Sequence, residues 1–165
     1  MSVVRFYSDP HFSHKSMAQH RKFQDEYYHD EYIIDQWNRT VKSKKDLTYI
    51  LGDITMENSF WYYQLDRLNG RKIVVLGNHD MPKDTPELLK YVEKVAGAID
   101  YKGFLLTHVP IHESELQFCR GNIHGHTHER LIDNPKYFNV SAEAIDYRPK
   151  TIDELLIKYR PNDSR

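Results

Sequence analysis

Five short β-prone runs in this chain each lead into residues that can ligate a metal ion. Val3 to Ser8 runs into Asp9-Pro10-His11, Leu47 to Leu51 into Gly52-Asp53, and Lys72 to Leu76 into Gly77-Asn78-His79-Asp80. Phe104 to Thr107 precedes His108, and Gly121 to His124 precedes Gly125-His126-Thr127-His128. This recurrence constrains the fold more than any other feature. In an α/β sheet the carboxyl ends of neighbouring strands open into one crevice, so donors far apart in sequence converge there. Residues i and i+2 of extended chain point the same way, which makes Asp9 with His11, and His126 with His128, two-pronged clamps. A glycine before a donor permits unusual dihedrals and a close approach with no Cβ in the way.

Helical spacing separates the runs. Ile33, Ile34, Trp37 and Val41 share one face of a helix predicted over roughly Glu26 to Val41. Ser59 is placed to cap a helix with Trp61, Leu65 and Leu68 inward and Gly70 beyond its end. Thr85-Pro86 opens a third, carrying Leu88, Leu89, Val92 and Val95. The plan to this point is β-α-β-α-β-α. After Gly97 the pattern changes to short strands, Ala98 to Tyr101, Phe104 to Thr107, Gly121 to His124 and Tyr137 to Val140, which read as a second sheet. Thr151-Ile152-Asp153-Glu154 is a capping box opening a last helix, with Leu155, Leu156 and Tyr159 inward and Pro161 as its end.

A length of 165 residues suits a single domain, 1–165, able to enclose a core without disulfides. Of the 39% apolar class, 12 residues are Tyr, so the interior is expected to hold polar groups. A net charge of −1 supplies no bulk attraction to nucleic acid. The one cysteine, Cys119, cannot form an internal bridge and reads as a small apolar residue in a reducing compartment. With no long apolar stretch for a signal peptide or membrane span, a cytoplasmic location is expected.

Ligand chemistry then narrows the cofactor. Carboxylate, amide oxygen and imidazole without thiolate favour Mn²⁺ first, with Fe, Zn²⁺ and Ni²⁺ as alternatives. Seven candidate donors exceed the needs of one tetrahedral ion and suit two if a carboxylate bridges, Asp53 being best placed. Two divalent ions against two carboxylates leave a positive centre, which favours an anionic substrate. A hydroxide held by both ions is then the expected nucleophile on phosphorus.

The ordered blocks Asp9-Pro10-His11, Gly52-Asp53, Gly77-Asn78-His79-Asp80, His108 and Gly125-His126-Thr127-His128 resemble the motifs of the calcineurin-like metallophosphoesterase superfamily. The stretch from Asn139-Val140 through Tyr147-Arg148-Pro149 to Asp153-Glu154-Leu155 resembles its small bacterial and phage members. The resemblance implies a four-layer α/β/β/α sandwich of two mixed sheets flanked by helices. It implies one ion on Asp9, His11, Asp53 and His128, and the other on Asp53, Asn78, His108 and His126. His79 would contact the phosphate and protonate the leaving oxygen, with Asp80 orienting it. The expected activity is hydrolysis of a phosphate ester, preferably a diester of a small nucleotide-like molecule. A metal-dependent nuclease on DNA or RNA and a catalytically silent scaffold are the alternatives.

The other histidines, His14, His20, His29, His112 and His124, read as structural or solvent-facing, with His14 and His112 nearest the clamps. His14 and Arg148 join His79 as candidate substrate contacts. Arg21, Arg39 and Arg120 are each read by default as solvated or salt-bridged. Tyr27, Tyr28, Trp61, Tyr62 and Tyr63 are read as core and rim packing rather than a stacking platform.

Overall fold

The computed structural model describes residues 2–159. It holds two four-stranded sheets face to face with helices against them, an α/β sandwich. The first sheet is built from β1 (Val4–Tyr7), β2 (Leu47–Ile50), β3 (Arg71–Val75) and β4 (Lys94–Ala96), hydrogen-bonded in that order. All three pairings are parallel. The second comprises β5 (Ile99–Tyr101), β6 (Phe104–Leu106), β7 (Gly121–His124) and β8 (Tyr137–Asn139), again in chain order. Only its β5–β6 pair is antiparallel. The expected mixed character therefore belongs to the second sheet. The first is parallel throughout because each of its connections crosses back over the sheet before the next strand begins.

Side-chain alternation along β1 explains the layering. Phe6 and Tyr7 are both fully buried, which only a strand covered on both faces permits. Phe6 stacks on Tyr49 of β2 and meets the ring edge of Tyr101 on β5, so this face looks at the second sheet. Tyr7 turns the other way onto Trp37, which belongs to α2 (Glu26–Thr40) and follows the short α1 (Lys15–His20). Asp25 caps α2 by accepting from the Tyr28 amide, and Ile33, Ile34 and Trp37 form its buried stripe, as the spacing predicts. Removing a ring of this size from such a core costs about 3–5 kcal/mol.

Two helices depart from expectation. Ser59–Arg67 winds as a 3-10 helix, and its cap is Asn58, whose side chain accepts from the Phe60 amide, rather than Ser59. The tighter winding buries Tyr62 and leaves Trp61 half-exposed. The helix predicted from Thr85 onward is one turn, α3 (Thr85–Leu88), after which the chain extends into β4. Leu88, Val92 and Val95 have helical spacing, but Val95 satisfies its backbone against Val74 of β3 instead. The capping box holds: Thr151 and Glu154 bond reciprocally at the start of α4 (Ile152–Tyr159), whose Tyr159 ring packs on Phe138 of β8. The expected stop at Pro161 lies outside the described residues.

What positions the site is the junction of the sheets. Ser8, just past β1, forms a parallel bridge with Ser141, just past β8, and the Ala142 amide donates to the Ser8 carbonyl. This seam joins the carboxyl ends of strands from both sheets at one end of the molecule.

Candidate metal centre

At that end the donors form two groups, each drawn from both sheets. Asp9, His11 and His128 bring ligand atoms within 4.8 Å of one another, and so do Asp53, His108 and His126. Each group is geometrically able to hold a metal ion. Asp53 faces both: its Oδ2 lies 3.3 Å from His108 Nε2 and 3.8 Å from His11 Nε2. Asn78 joins the second group, its Oδ1 2.9 Å from His108 Nε2. All seven predicted ligands thus converge.

Buried atoms without partners support an ion here. Asp9 Oδ1 and both ring nitrogens of His11 are buried and make no hydrogen bond, a costly state for polar atoms. His11 Nε2 lies 3.6 Å from Asp9 Oδ1, too long for a hydrogen bond and suited to flanking a shared cation. Oxygen and imidazole donors without thiolate suit a divalent metal ion.

The backbone bends unusually to deliver these side chains. Asp9, His11, Asp53, His126 and His128 all have left-handed φ, between 50 and 67°. Non-glycine residues seldom adopt that region, and such conformations cluster where surrounding structure enforces them. The three glycines before donors have separate reasons. Gly52 (φ 88°) is itself left-handed and presses on Gly77. A Cβ on Gly77 would overlap Asp53, and one on Gly125 would overlap Ser8 and Asp9, so these two are required by close approach.

Electrostatics follow from the crowding. Burial would raise the Asp9 carboxyl, yet His11, His108 and His128 hold it well below the usual carboxylate range. Burial opposes Asp53 likewise and is outweighed by its bond to His108. Burial alone would lower His108, but its bond to Asp53 and the Asp9 charge push it up to about 9. Burial depresses His11, and lowers His124, which sits behind the centre, to about 4.

Of the predicted substrate contacts, His79 reaches the centre. Its amide donates to Asp53 Oδ1, and its half-exposed ring lies with Nε2 3.9 Å from Asp53 Oδ2 and 6.0 Å, centroid to centroid, from His11. Asp80 does not act on the His79 ring as expected. Its carboxylate accepts from the amides of Asp53, Ile54 and Gly77, so it pins the Asp53 turn. His14 stands 6.4 Å from the His11 ring and bonds Glu57 at the rim. Arg148 Nε donates to the Gln36 side chain on α2. His112 caps the 3-10 turn Glu113–Phe118. Among the aromatics, Tyr27, Trp61 and Tyr63 line a cavity of about 250 Å³ with Ser13 and Arg67.

Sequence reasoning missed the groups behind the ligands. His108 Nδ1 donates to the Leu51 carbonyl, so once the ring gives up its second proton Nε2 is the nitrogen with the free lone pair. Asn139 Nδ2 donates to the His128 carbonyl and to Thr127 Oγ1, bracing a turn in which His126 and His128, expected as one clamp on extended chain, take left-handed φ and join different donor groups. Arg21 and Glu143 lie behind His128, 122 residues apart in sequence, and no local pattern marks either. For Asn139, its place at the end of the last β-prone run was an available signal.

No protein-family model matches the chain. The uncharacterized protein MJ1445 of Methanocaldococcus jannaschii is 34% identical, over 96% of this chain and 92% of its own length. The gene 66 protein of Mycobacterium phage D29 is 33% identical over 87% and 89%, and that of phage L5 is 30% identical over 80% of each. Among solved structures, a protein of unknown function, AQ665 from Aquifex aeolicus, superposes with a TM-score of 0.73 at 27% identity, covering 94% of this chain and 98% of that one.

Proposed function

The chain belongs to the family of MJ1445 and the mycobacteriophage gene 66 proteins, and from its site we propose that it is a metal-dependent phosphoric ester hydrolase of the calcineurin-like type. One observation carries the reading: a single carboxylate, Asp53, faces two donor groups at once. Asp9, His11, Asp53 and His128 would hold one ion, and Asp53, Asn78, His108 and His126 the other. Two divalent ions, Mn²⁺ being the best match, would supply an activated water and offset charge on the phosphate oxygens.

The chain's own residues divide the remaining work. Asp9 and Asp53 contribute only two negative charges, so the loaded centre attracts an anion. His79, half-exposed on the rim beside Asp53, is placed to touch a bound phosphate and give a proton to the leaving oxygen. Asp80 keeps the Asp53 turn fixed while this happens. A net charge of −1 favours a small ester over a long polyanion, and a diester is the preferred class. Among the described residues no helix is long and apolar enough to cross a membrane.

The test is hydrolysis of aryl phosphomonoesters and diesters with Mn²⁺ by the wild type and by His79→Asn. Loss of a positioned proton donor lowers the rate by about 10²–10⁴-fold. An undiminished rate removes His79 from the reaction. A wild type inert on both esters with Mn²⁺, Fe²⁺, Zn²⁺ and Ni²⁺ overturns the assignment, and steeply salt-dependent cleavage of DNA or RNA moves the substrate to nucleic acid.

A further inference from the structure

Behind the Asp9 group lies a buried charged assembly that the ligand set does not explain. The Arg21 side chain has no exposed surface, and it donates in three directions. Nε donates to Glu143 Oε1 at 2.7 Å, Nη1 to the Pro10 carbonyl at 3.1 Å, and Nη2 to the Asp9 carbonyl at 2.8 Å. Nη1 also meets His29 Nε2 at 2.8 Å. A guanidinium only donates, so His29 accepts there and carries its proton on Nδ1, which faces Asp30 at 3.0 Å.

The same Glu143 Oε1 lies 3.1 Å from His128 Nδ1. A carboxylate only accepts, so His128 donates from Nδ1 and keeps its lone pair on Nε2. One guanidinium therefore reaches two of the three donors of one group: Asp9 through its backbone carbonyl, His128 through Glu143. A pair that merely tied α1 to the sheet would need neither connection. A carboxylate behind a ligating imidazole fixes its tautomer and ring orientation and raises its basicity.

We propose that Arg21 and Glu143 are positioning residues that set the affinity of the Asp9–His11–His128 position for a divalent cation, separately from the Asp53–His108–His126 position. This rests on the reading that both groups bind ions. Glu143→Gln keeps the shape and an acceptor for Arg21 but removes the charge behind His128.

The experiment is calorimetric titration of the metal-free protein with Mn²⁺, checked by circular dichroism for an unchanged fold. His128→Ala and His126→Ala assign the two binding steps. In Glu143→Gln the step lost in His128→Ala weakens about 10–100-fold while the other keeps its wild-type affinity. Two wild-type steps in folded Glu143→Gln, or equal weakening of both, overturn the proposal while leaving the metal centre intact. A wild type that binds no Mn²⁺ overturns the metal reading and this proposal with it. Should Glu143→Gln fail to fold, Glu143→Asp and Arg21→Lys, which keep the charges and change their reach, decide by the same selective weakening or its absence.

Discussion

The two donor groups are built from similar ligands but braced in different ways. Behind Asp53, His108 and His126 the supports end on the backbone of neighbouring strand ends: the Leu51 carbonyl orients His108, and the buried Asp80 carboxylate gathers the amides of Gly77, Asp53 and Ile54. Behind Asp9, His11 and His128 the supports include the buried charges of Arg21 and Glu143, brought from distant parts of the chain. A brace made of backbone is fixed by the strand ends themselves, so it forms whenever the sheet forms. A brace made of buried charges must be assembled by tertiary packing, and losing either partner strands the other. The first kind suits a permanent framework; the second leaves affinity adjustable by single substitutions.

Removing what the groups share should have the largest effect. Asp53→Ala takes a ligand from both, so ester hydrolysis with Mn²⁺ should fall by more than the about 100-fold seen when only an outer support is lost. A steady-state assay that finds a smaller loss would show that the two groups act independently of Asp53. Next comes the backbone brace. Gly77→Ala drives a methyl into Asp53 and should cost about 1–3 kcal/mol in urea unfolding, with Mn²⁺ binding impaired at the Asp53 group first.

Protons distinguish the groups more gently. His108, raised to about 9, is mainly protonated at neutral pH in the metal-free chain. An ion must displace that proton, so Mn²⁺ affinity at the Asp53 group should rise up to about tenfold per pH unit towards pH 9 and level off above it. The corresponding stability of the metal-free fold is fully present below 6.5, the ordinary histidine value, and is lost as pH rises through about 9. A pH-independent binding isotherm would contradict the sign. The smallest effect belongs to Arg148→Ala. With one bond, to Gln36, and an exposed position, it should change stability by within about 0.5 kcal/mol and leave hydrolysis unaltered.

The same contrast explains what could be read before the fold was known. Asp9, His11, Asp53, Asn78, His108, His126 and His128 are legible because each follows a β-prone run, and strand ends in parallel sheets share an edge. The helix α2 is legible from its apolar stripe. Val92 and Val95 misled because helical spacing over a short apolar stretch also fits a turn followed by a buried strand, and only pairing with β3 decides. Arg21 and Glu143 were illegible because their meaning is a contact and no periodicity records it.

The left-handed donors have a further implication. At five positions the chain takes a bend that glycine would accommodate with least effort, and at each it carries aspartate or histidine instead. A glycine at any of the five would relax the backbone and remove a donor atom from the centre, so backbone ease and the side-chain set compete for the same residue there.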